Sequence, residues 1–405
     1  MPRTPSSLFL LLALLAGHTF ASMAVLVLPA VAPEVARDYG FDPSLIGYQI
    51  SLVSVGMVFT LTLLGNMSRR YGGARTNQLG HALVAIGMLV LLVPWSAFLV
   101  IGSLVIGLGY GMITPSASHL LVRYTAPERR TTVFSIHQVG IPAGGMLAAL
   151  VAPAIAVHAG WRWSVLASAL LILGVIALMQ RSRSAWDAER ERSAAAVTAN
   201  PLAGTIAIWR HPQLRLITVA GGCFSWVQFT TATFTVVVCV AALGMSLVLA
   251  GTVLTVVQIA SAAGRVGVGW IVDRTHDAAR VLAWIAAVMT LAAAAAALLL
   301  RPELPLAAVY LLFAVLGAAS GCWPGAILAE VGRLAPQGQV SLAVSGSLVI
   351  TNIGKFTGPI VLANVYAWTH HYGIAFASLV LPAAAALACL LAAHARKRQT
   401  ARIHH

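Results

Sequence analysis

Charge is what this chain has least of: only 9% of its 405 residues are Asp, Glu, Lys or Arg, against roughly 25% in soluble domains. So few charged side chains cannot cover the surface of a water-soluble protein of this size, and 59% of the residues are hydrophobic. Apolar runs of about twenty residues recur along the chain, and each is long enough to cross a bilayer. Because lipid offers no partner to backbone N–H and C=O groups, those runs must be helical. The composition predicts an all-α membrane protein.

Acidic residues are scarcer still. All eleven Asp and Glu residues lie in loops or at the ends of apolar runs, and none is at mid-membrane. Nothing deep in the membrane would therefore neutralise a cation. This absence argues against a carboxylate proton relay and against a cationic substrate.

Cysteine pairs and catalytic motifs are also lacking. The four cysteines lie within apolar runs without close pairing, so we interpret them as small core residues rather than disulfide or zinc ligands. Neither His-Glu-x-x-His, nor Gly-x-Ser-x-Gly, nor a Walker-type phosphate loop occurs. We therefore expect no enzyme and no cofactor.

What the chain does have is about twelve apolar spans. Their approximate limits are 8–31, 45–66, 76–95, 98–122, 131–156, 161–180, 214–242, 247–271, 280–300, 304–329, 340–367 and 373–394. The first run is too long for the apolar core of a signal peptide, so we expect an uncleaved helix. The predicted organisation is an N-terminal six-helix half (1–180), a cytoplasmic linker (181–213), a C-terminal six-helix half (214–395) and a basic cytoplasmic tail (396–405).

The formal charge of +14 is distributed unevenly. With the N-terminus inside, every Lys and Arg lies in a cytoplasmic segment except Arg37, Arg162 and Arg301 in outer loops and Arg265 and Lys355 inside spans. Positive charge on the cytoplasmic side is typical of multi-pass membrane proteins. We therefore expect a bacterial inner-membrane protein with both termini cytoplasmic, surrounded by lipid, functional as a monomer and without nucleic acid as a partner.

The two halves repeat one another. Gly264–Arg274 ends one apolar span, and Gly65–Arg75 ends its counterpart, with Gly65 answering to Gly269 and Arg70 to Arg274. Further along, spaced glycine pairs also correspond: Gly107 and Gly111 with Gly317 and Gly321, and Gly140 and Gly144 with Gly354 and Gly358. Small residues let helices in lipid approach closely, so packing is one interpretation and hinging another. Duplicated halves are typical of secondary transporters.

This pattern resembles the major facilitator superfamily over nearly the whole chain. The family's loop motif, Gly-x-Leu-a-Asp-Arg-x-Gly-Arg-Arg, is kept in the second half as Gly269, Ile271, Asp273 and Arg274, whereas the first half has Arg69 in place of Asp. The stretch from Phe134 to Gly145 resembles a bacterial branch that includes cyanate and 2-nitroimidazole transporter-like proteins. The resemblance implies about 12 transmembrane helices in two duplicated six-helix halves and transport by alternating access.

The charges beside the repeated motif predict a cytoplasmic gate. Asp273 and Arg274 are expected to join a charge network that holds helix ends together, and they would gate the pathway without binding substrate. The residues predicted for this gate are Asp273, Arg274, Arg69, Arg70 and Glu330.

Two polar stripes predict an anion site. Ser347, Thr351 and Lys355 recur every four residues with Asn352 beside them, and Gln258, Ser261 and Arg265 form a similar face on another span. Stripes that end in cations suit an anion at the midplane, and anion-carrying branches of the family resembled here use basic residues on the same two helices. Two alternatives stay open: Arg265 pairs with Glu330 or Asp273 in the gate, and Lys355 is structural.

Polar residues in three further spans complete the predicted substrate site. His18 and His137 are mid-span imidazoles, which can carry protons or simply hydrogen-bond neighbouring helices. Gln138 adjoins His137, and Gln228 lies at a place in the second half roughly equivalent to His18. Phe20, Trp226, Phe229 and Phe234 are candidates for the cavity wall or for packing.

These observations favour a secondary transporter for a small organic anion such as a carboxylate, driven by proton symport or by exchange. The alternative within transport is an exporter of neutral or lipophilic compounds, which should tolerate loss of Lys355. A non-transporting sensor on the same fold is a third candidate.

Overall fold

The computed structural model describes residues 7–64, 67–126, 129–188, 190–191, 193, 202–275, 277–336 and 340–403. Gly65 and Asn66 of the first-half motif and part of the predicted linker lie outside these residues. Every regular element in the described ranges is a helix, as the composition predicts. Eleven helical spans among them are long and apolar enough to cross a membrane.

The first of two compact units comprises Met1–Phe41 and Leu52–Pro201. Within it α1 packs against α8, and α5 packs against α6. Its helices are α1 (Ser7–Ala30), α2 (Ala32–Tyr39), α3 (Ile46–Leu63, from Leu52 on), α4 (Met67–Tyr71), α5 (Gly73–Val90), α6 (Ser96–Tyr124), α7 (Arg130–Gln138), α8 (Gly140–Ala159), α9 (Trp161–Gln180) and α10 (Arg183–Trp186).

The second unit comprises Asp42–Ser51 and Leu202–His405. Within it α12 packs against α17, and α13 packs against α15. A 3-10 turn (Pro43–Leu45) precedes α3, and the unit's helices are α11 (Ala203–Arg210), α12 (Pro212–Ala241), α13 (Leu247–Thr275), α14 (Ala278–Leu299), α15 (Leu306–Gly321), α16 (Trp323–Leu334), α17 (Val340–Thr369), α18 (Tyr372–Ala377) and α19 (Val380–Ile403).

The repeated glycines make the same contacts in both units. A Cβ on Gly107 of α6 would overlap the backbone of Val53 on α3, and a Cβ on Gly317 of α15 would overlap the backbone of Val257 on α13. Without a hydrophobic drive between helices in lipid, such close backbone approach is a main source of association. The duplication seen in the sequence is therefore a duplication of helix contacts.

The predicted span at 76–95 corresponds to α5, which is not among the eleven because it carries unusually many polar residues. Asn77, Gln78 and His81 are all buried. The Asn77 amide donates to Ser116 Oγ at 2.9 Å, and the Gln78 amide donates to Gln180 at 3.0 Å. Because buried polar groups need partners, this inward-facing polar side ties α5 to α6 and α9.

Three predicted spans are broken once each. The breaks fall at Val139, at Cys322 and at residues 378–379. A proline lies in the first turn after each break: Pro142, Pro324 and Pro382. Proline lacks the N–H that a helix interior requires but fits a helix start. Each of these spans is therefore two helices in series.

Exposed tryptophans lie near helix ends. Tryptophan is enriched at membrane–water interfaces because its ring is amphipathic. The six most exposed are Trp95, Trp163, Trp209, Trp270, Trp284 and Trp368, each more than half exposed.

Gly144 tests whether close helix approach holds the first unit together. A Cβ at this position would overlap the Thr19 carbonyl oxygen on α1, whereas Gly174 on α9 has open space around it. We expect Gly144→Ala to destabilise by about 1–3 kcal/mol through overpacking, and Gly174→Ala to be neutral or slightly stabilising. Thermal unfolding of both purified variants measures this. Equal melting temperatures would show that the close α1–α8 contact does not determine the stability of the first unit.

Candidate functional site

Lys355 lies near the middle of α17 with its side chain buried, 4% exposed. Its ammonium Nζ is 4.3 Å from the centroid of the Phe229 ring on α12. An ammonium at this distance from an aromatic face is attracted by the quadrupole of the ring. The structure thus places a cation directly beside an aromatic surface.

The rest of the α17 stripe is buried with Lys355. Thr351 Oγ1 and the Asn352 amide both donate to the Leu348 carbonyl on their own helix, at 3.0 and 2.8 Å. Ser347 Oγ is buried and has no hydrogen-bond partner among the described residues. A buried hydroxyl without a partner is costly. The stripe therefore has spare hydrogen-bonding capacity one turn from Thr351.

The second predicted stripe runs along α13. Gln258 and Ser261 are buried, and Arg265 is half-buried. The Arg265 guanidinium donates through Nε to the Gly321 carbonyl at 2.9 Å, at the point where α15 ends. A cation at the carboxyl end of a helix is stabilised by the helix dipole and by the last carbonyls. One edge of the guanidinium is thus held by the backbone of α15.

α12 lies against both stripe-bearing helices. Its Gln228 accepts a hydrogen bond from Trp323 Nε1 at 2.9 Å, and Trp226 Nε1 is buried without a partner in the described part of the chain. Lys355 contacts α12, whereas Arg265 contacts α15. The two cations are therefore on the same unit but are held by different neighbours.

Among the four predicted wall aromatics, Phe229 lies directly against a predicted site residue, Lys355. Phe234 is fully buried, and Phe20 packs against the core around α1. The sequence gives all four the same apolar setting, so only the three-dimensional contact with Lys355 separates Phe229 from the others.

The mid-span histidines meet in the first unit. The imidazole rings of His18 on α1 and His137 on α7 have centroids 4.7 Å apart and are 0% and 1% exposed. Tyr110 on α6 lies 3.4 Å from His18 Nε2 and 2.9 Å from Ser22 Oγ. Gln138, the last residue of α7, is half-buried. Both histidines are too buried for direct contact with a solute in this conformation.

The predicted gate residues of the second unit lie at helix ends. Asp273 and Arg274 are exposed, and the Arg274 guanidinium lies 3.9 Å from the Trp270 ring centroid. Glu330 is buried and accepts two hydrogen bonds from Arg333, at 2.8 and 2.6 Å. The described partner of Glu330 is thus Arg333. A gating role for Asp273, Arg274 and Glu330 stays a prediction.

In the first unit the predicted gate residue Arg69 contacts the linker. Arg69 forms an ion pair with Glu191 at 2.8 Å, and Arg70 lies 5.5 Å from the Tyr71 ring centroid. Arg69 occupies the position where the resembled family has Asp. The Glu191 carboxylate of the linker is therefore the partner of this arginine.

Sequence reasoning did not identify a role for Asp187, which closes the start of α5. Its carboxylate accepts hydrogen bonds from the backbone N–H groups of Ala74 and Arg75, at 2.8 and 2.9 Å. Burial raises the pKa of Asp187 above its ordinary value, and the two N–H groups act in the opposite direction. Gly72, immediately before, has φ +96 and no room for a Cβ beside the carboxylate. Asp187 lies more than a hundred residues after Ala74 in the sequence, so no local sequence pattern predicts this cap.

The start of the linker is docked by its neighbours as well. Trp186 is buried and stacks on Phe9 of α1, with ring centroids 5.8 Å apart, and Tyr124 Oη donates to the Ala185 carbonyl at 3.0 Å. A cavity of about 530 Å³ lies beside it, lined by residues that include Ser68, Arg69, His119, Arg123, Asp187 and Arg190.

Two variants separate the linker contacts by strength. We expect Asp187→Ala to cost about 1–2 kcal/mol, as for loss of a helix cap. Arg69→Gln removes an ion pair whose side chains are 58% and 57% exposed, so we expect at most about 1 kcal/mol. Thermal unfolding of each variant gives the comparison. A larger loss from Arg69→Gln would contradict the cap as the main linker contact.

Comparison with known proteins adds the following. Residues 12–359 match the Major Facilitator Superfamily. A gallate transporter from Pseudomonas putida is 27% identical over 420 aligned residues, covering 94% of this chain and 90% of that protein. The 4-hydroxybenzoate transporter PcaK from Pseudomonas aeruginosa is 32% identical over 165 residues, covering 38% of this chain and 35% of PcaK.

A solved structure shares the fold. The crystal structure of a mutant of the nucleoside transporter NupG aligns with a TM-score of 0.75 at 15% identity, covering 96% of this chain and 99% of that one. At this identity the likeness concerns the arrangement of helices alone.

Proposed function

The chain belongs to the major facilitator superfamily and is a secondary transporter of small molecules rather than an enzyme, and on that premise we propose that it carries small aromatic carboxylates by alternating access. The two halves at 1–180 and 214–395 supply the alternating movement. Proton symport or exchange drives it.

The observation that carries this proposal is the buried Lys355 ammonium against the Phe229 ring. A carboxylate beside an ammonium in a low-dielectric site gains a strong charge-assisted hydrogen bond. An aromatic ring attached to that carboxylate would stack or tilt against Phe229 and Trp226. The names of the relatives, gallate and 4-hydroxybenzoate transporters, support a substrate with both parts.

The remaining stripe residues provide polar partners for such a substrate. Ser347 Oγ and Ser261 Oγ are buried hydroxyls without partners among the described residues, and phenolic hydroxyl groups would satisfy them. Arg265 and Gln258 extend the polar side along α13. Thr351, Asn352 and Gln228 hold the shape of this wall through their hydrogen bonds to Leu348 and Trp323.

We further propose that the protein resides in a bacterial inner membrane with both termini cytoplasmic and works as a monomer. Placement in the branch resembling cyanate and 2-nitroimidazole transporters stays a prediction. The alternative function, export of neutral or lipophilic compounds, is favoured only by the apolar character of most of the spans.

Uptake of labelled 4-hydroxybenzoate and gallate into proteoliposomes tests the anion site. We expect Lys355→Gln to abolish uptake, because removing one partner of a buried charge pair typically costs about 2–5 kcal/mol. Arg265→Gln is expected to reduce uptake strongly. The matched control is Arg280→Gln, which removes an exposed cation at the start of α14 and should leave uptake unchanged.

The neutral methyl ester of 4-hydroxybenzoate separates the two transport functions. If the ester is transported as fast as the acid, or if uptake of the acid survives Lys355→Gln, Lys355 has a structural role. Export of neutral or lipophilic compounds is then the better hypothesis for the function.

Phe229→Leu tests whether the substrate ring matters. Aromatic pairs contribute about 0.5–1.5 kcal/mol beyond simple burial, so the KM for 4-hydroxybenzoate should rise by roughly two- to tenfold. The inhibition constant of an aliphatic carboxylate of similar length, measured by competition, should change less. Equal changes in this constant and in the KM for 4-hydroxybenzoate would show that Phe229 acts through packing of Lys355 and does not recognise the ring.

A further inference from the structure

The most unusual cluster outside the proposed anion site lies in the first unit. His18, His137, Tyr110 and Ser22 come from three helices and form one contiguous polar group, with the imidazole centroids 4.7 Å apart. The two imidazoles are essentially inaccessible, whereas Tyr110 is 8% exposed. A solute cannot reach the imidazoles without rearrangement, but a proton can pass along hydroxyl groups. The Tyr110 phenol is thus the most exposed member of this polar cluster.

Imidazoles are the acid–base groups available here. The described spans of this unit contain no Asp or Glu, and histidine is the side chain that changes charge near physiological pH. Two imidazolium ions at this separation would repel each other strongly. The pair therefore accommodates one added proton and behaves as a single coupled site.

The hydrogen bonds provide a route for that proton. Tyr110 Oη lies 3.4 Å from His18 Nε2 and 2.9 Å from Ser22 Oγ, and either hydroxyl can donate. A hydroxyl between two partners can accept from one and donate to the other. His137 Nε2 is buried and has no hydrogen-bond partner in the described ranges. It is the nitrogen with capacity for a proton or a shared hydrogen bond.

The pair also lies at a helix junction. α7 ends one residue after His137, and α8 begins at Gly140 after the break at Val139. A Cβ on Gly140 would lie 3.1 Å from the His18 Cβ, so α1 and α8 touch at the same level as the imidazoles. Because a charged imidazolium needs polar surroundings, adding a proton favours an arrangement in which α7 and α1 separate enough to admit water.

Other titratable groups against these helices occupy separate positions. Tyr110 is part of the cluster, while His81 of α5 lies against Gly17 and is 2.8 Å from the Asn77 carbonyl through Nδ1. The charged groups lie near the ends of the unit. At one end, Arg162 of α9 pairs with Asp38 of α2, the helix that follows α1. Arg37 of α2 pairs with Glu34. At the other end, Arg123 of α6 donates to the Trp186 carbonyl, beside His119. His158 is exposed at the end of α8.

We propose that His18 and His137 form a one-proton binding site, loaded through Tyr110 and Ser22, that supplies the coupling proton for transport. The proton comes from water while the site is open to one side of the membrane and adds to an imidazole nitrogen lone pair. It leaves to water when the site is open to the other side. The coupling role rests on the proposed transport function, whereas the shared proton does not.

Histidine NMR on the full-length protein tests the shared proton without any substrate. Imidazole ¹⁵N signals are followed between about pH 5 and pH 8 in the wild type, His18→Gln, His137→Gln and the matched control His81→Gln. We expect one common midpoint for the pair, and each pair variant should move the midpoint of the remaining imidazole by at least about tenfold in proton affinity. The His81→Gln control should leave the common midpoint in place. Independent midpoints, or no response from either ring, would overturn the site.

Transport tests the coupling role. Both pair variants should retain counterflow of labelled 4-hydroxybenzoate between preloaded vesicles and medium but lose accumulation driven by an inward proton gradient. Tyr110→Phe should slow gradient-driven accumulation while leaving counterflow intact. Gradient-driven accumulation that survives in His18→Gln and His137→Gln would overturn the coupling role. A wild type that carries none of the carboxylates would instead count against the proposed function, with the NMR result still deciding the proton site.

Discussion

In a protein whose solvent is lipid, every polar group on a spanning helix has to find its partner inside the protein. This constraint governs where each polar residue lies. Asn77 and Gln78 turn α5 inward and tie it to its neighbours. Glu330, a buried acid near the end of a spanning segment, is held by the guanidinium of Arg333. The Ser347 and Ser261 hydroxyls and His137 Nε2 have no hydrogen-bond partner among the described residues, and in the proposed mechanism they are the atoms that accommodate a solute or a proton.

The two proposed roles fall in different units. The second unit carries Lys355, Arg265 and Phe229, which suit a carboxylate attached to a ring. The first unit carries the imidazole pair, which suits a proton. In each unit a glycine allows the backbones of two helices to come into direct contact, Gly107 in the first unit and Gly317 in the second. A shared scaffold thus supports two chemically different interiors.

Much of the fold follows from local sequence properties. Apolar runs predict the spans, and spaced glycines predict which helix faces touch, because both signals lie within a few turns of one helix. The broken helices were less visible, since Pro142, Pro324 and Pro382 would also fit kinked single spans. The candidate site was predictable as two stripes on α13 and α17. What could not be predicted is which residues on other helices receive them: Phe229 for Lys355, Gly321 for Arg265, and the histidine pairing across α1 and α7 depend on three-dimensional packing.

The cap on α5 has a consequence for the order in which the protein is made. The first N–H groups of a helix have no partner within it, and at α5 two of them are satisfied by a carboxylate 113 and 112 residues further along the chain. Until the ribosome has synthesised Asp187, the start of α5 depends on water for these hydrogen bonds. The cap on α5 can therefore be completed only after α9, the last spanning helix of the first unit, has been synthesised.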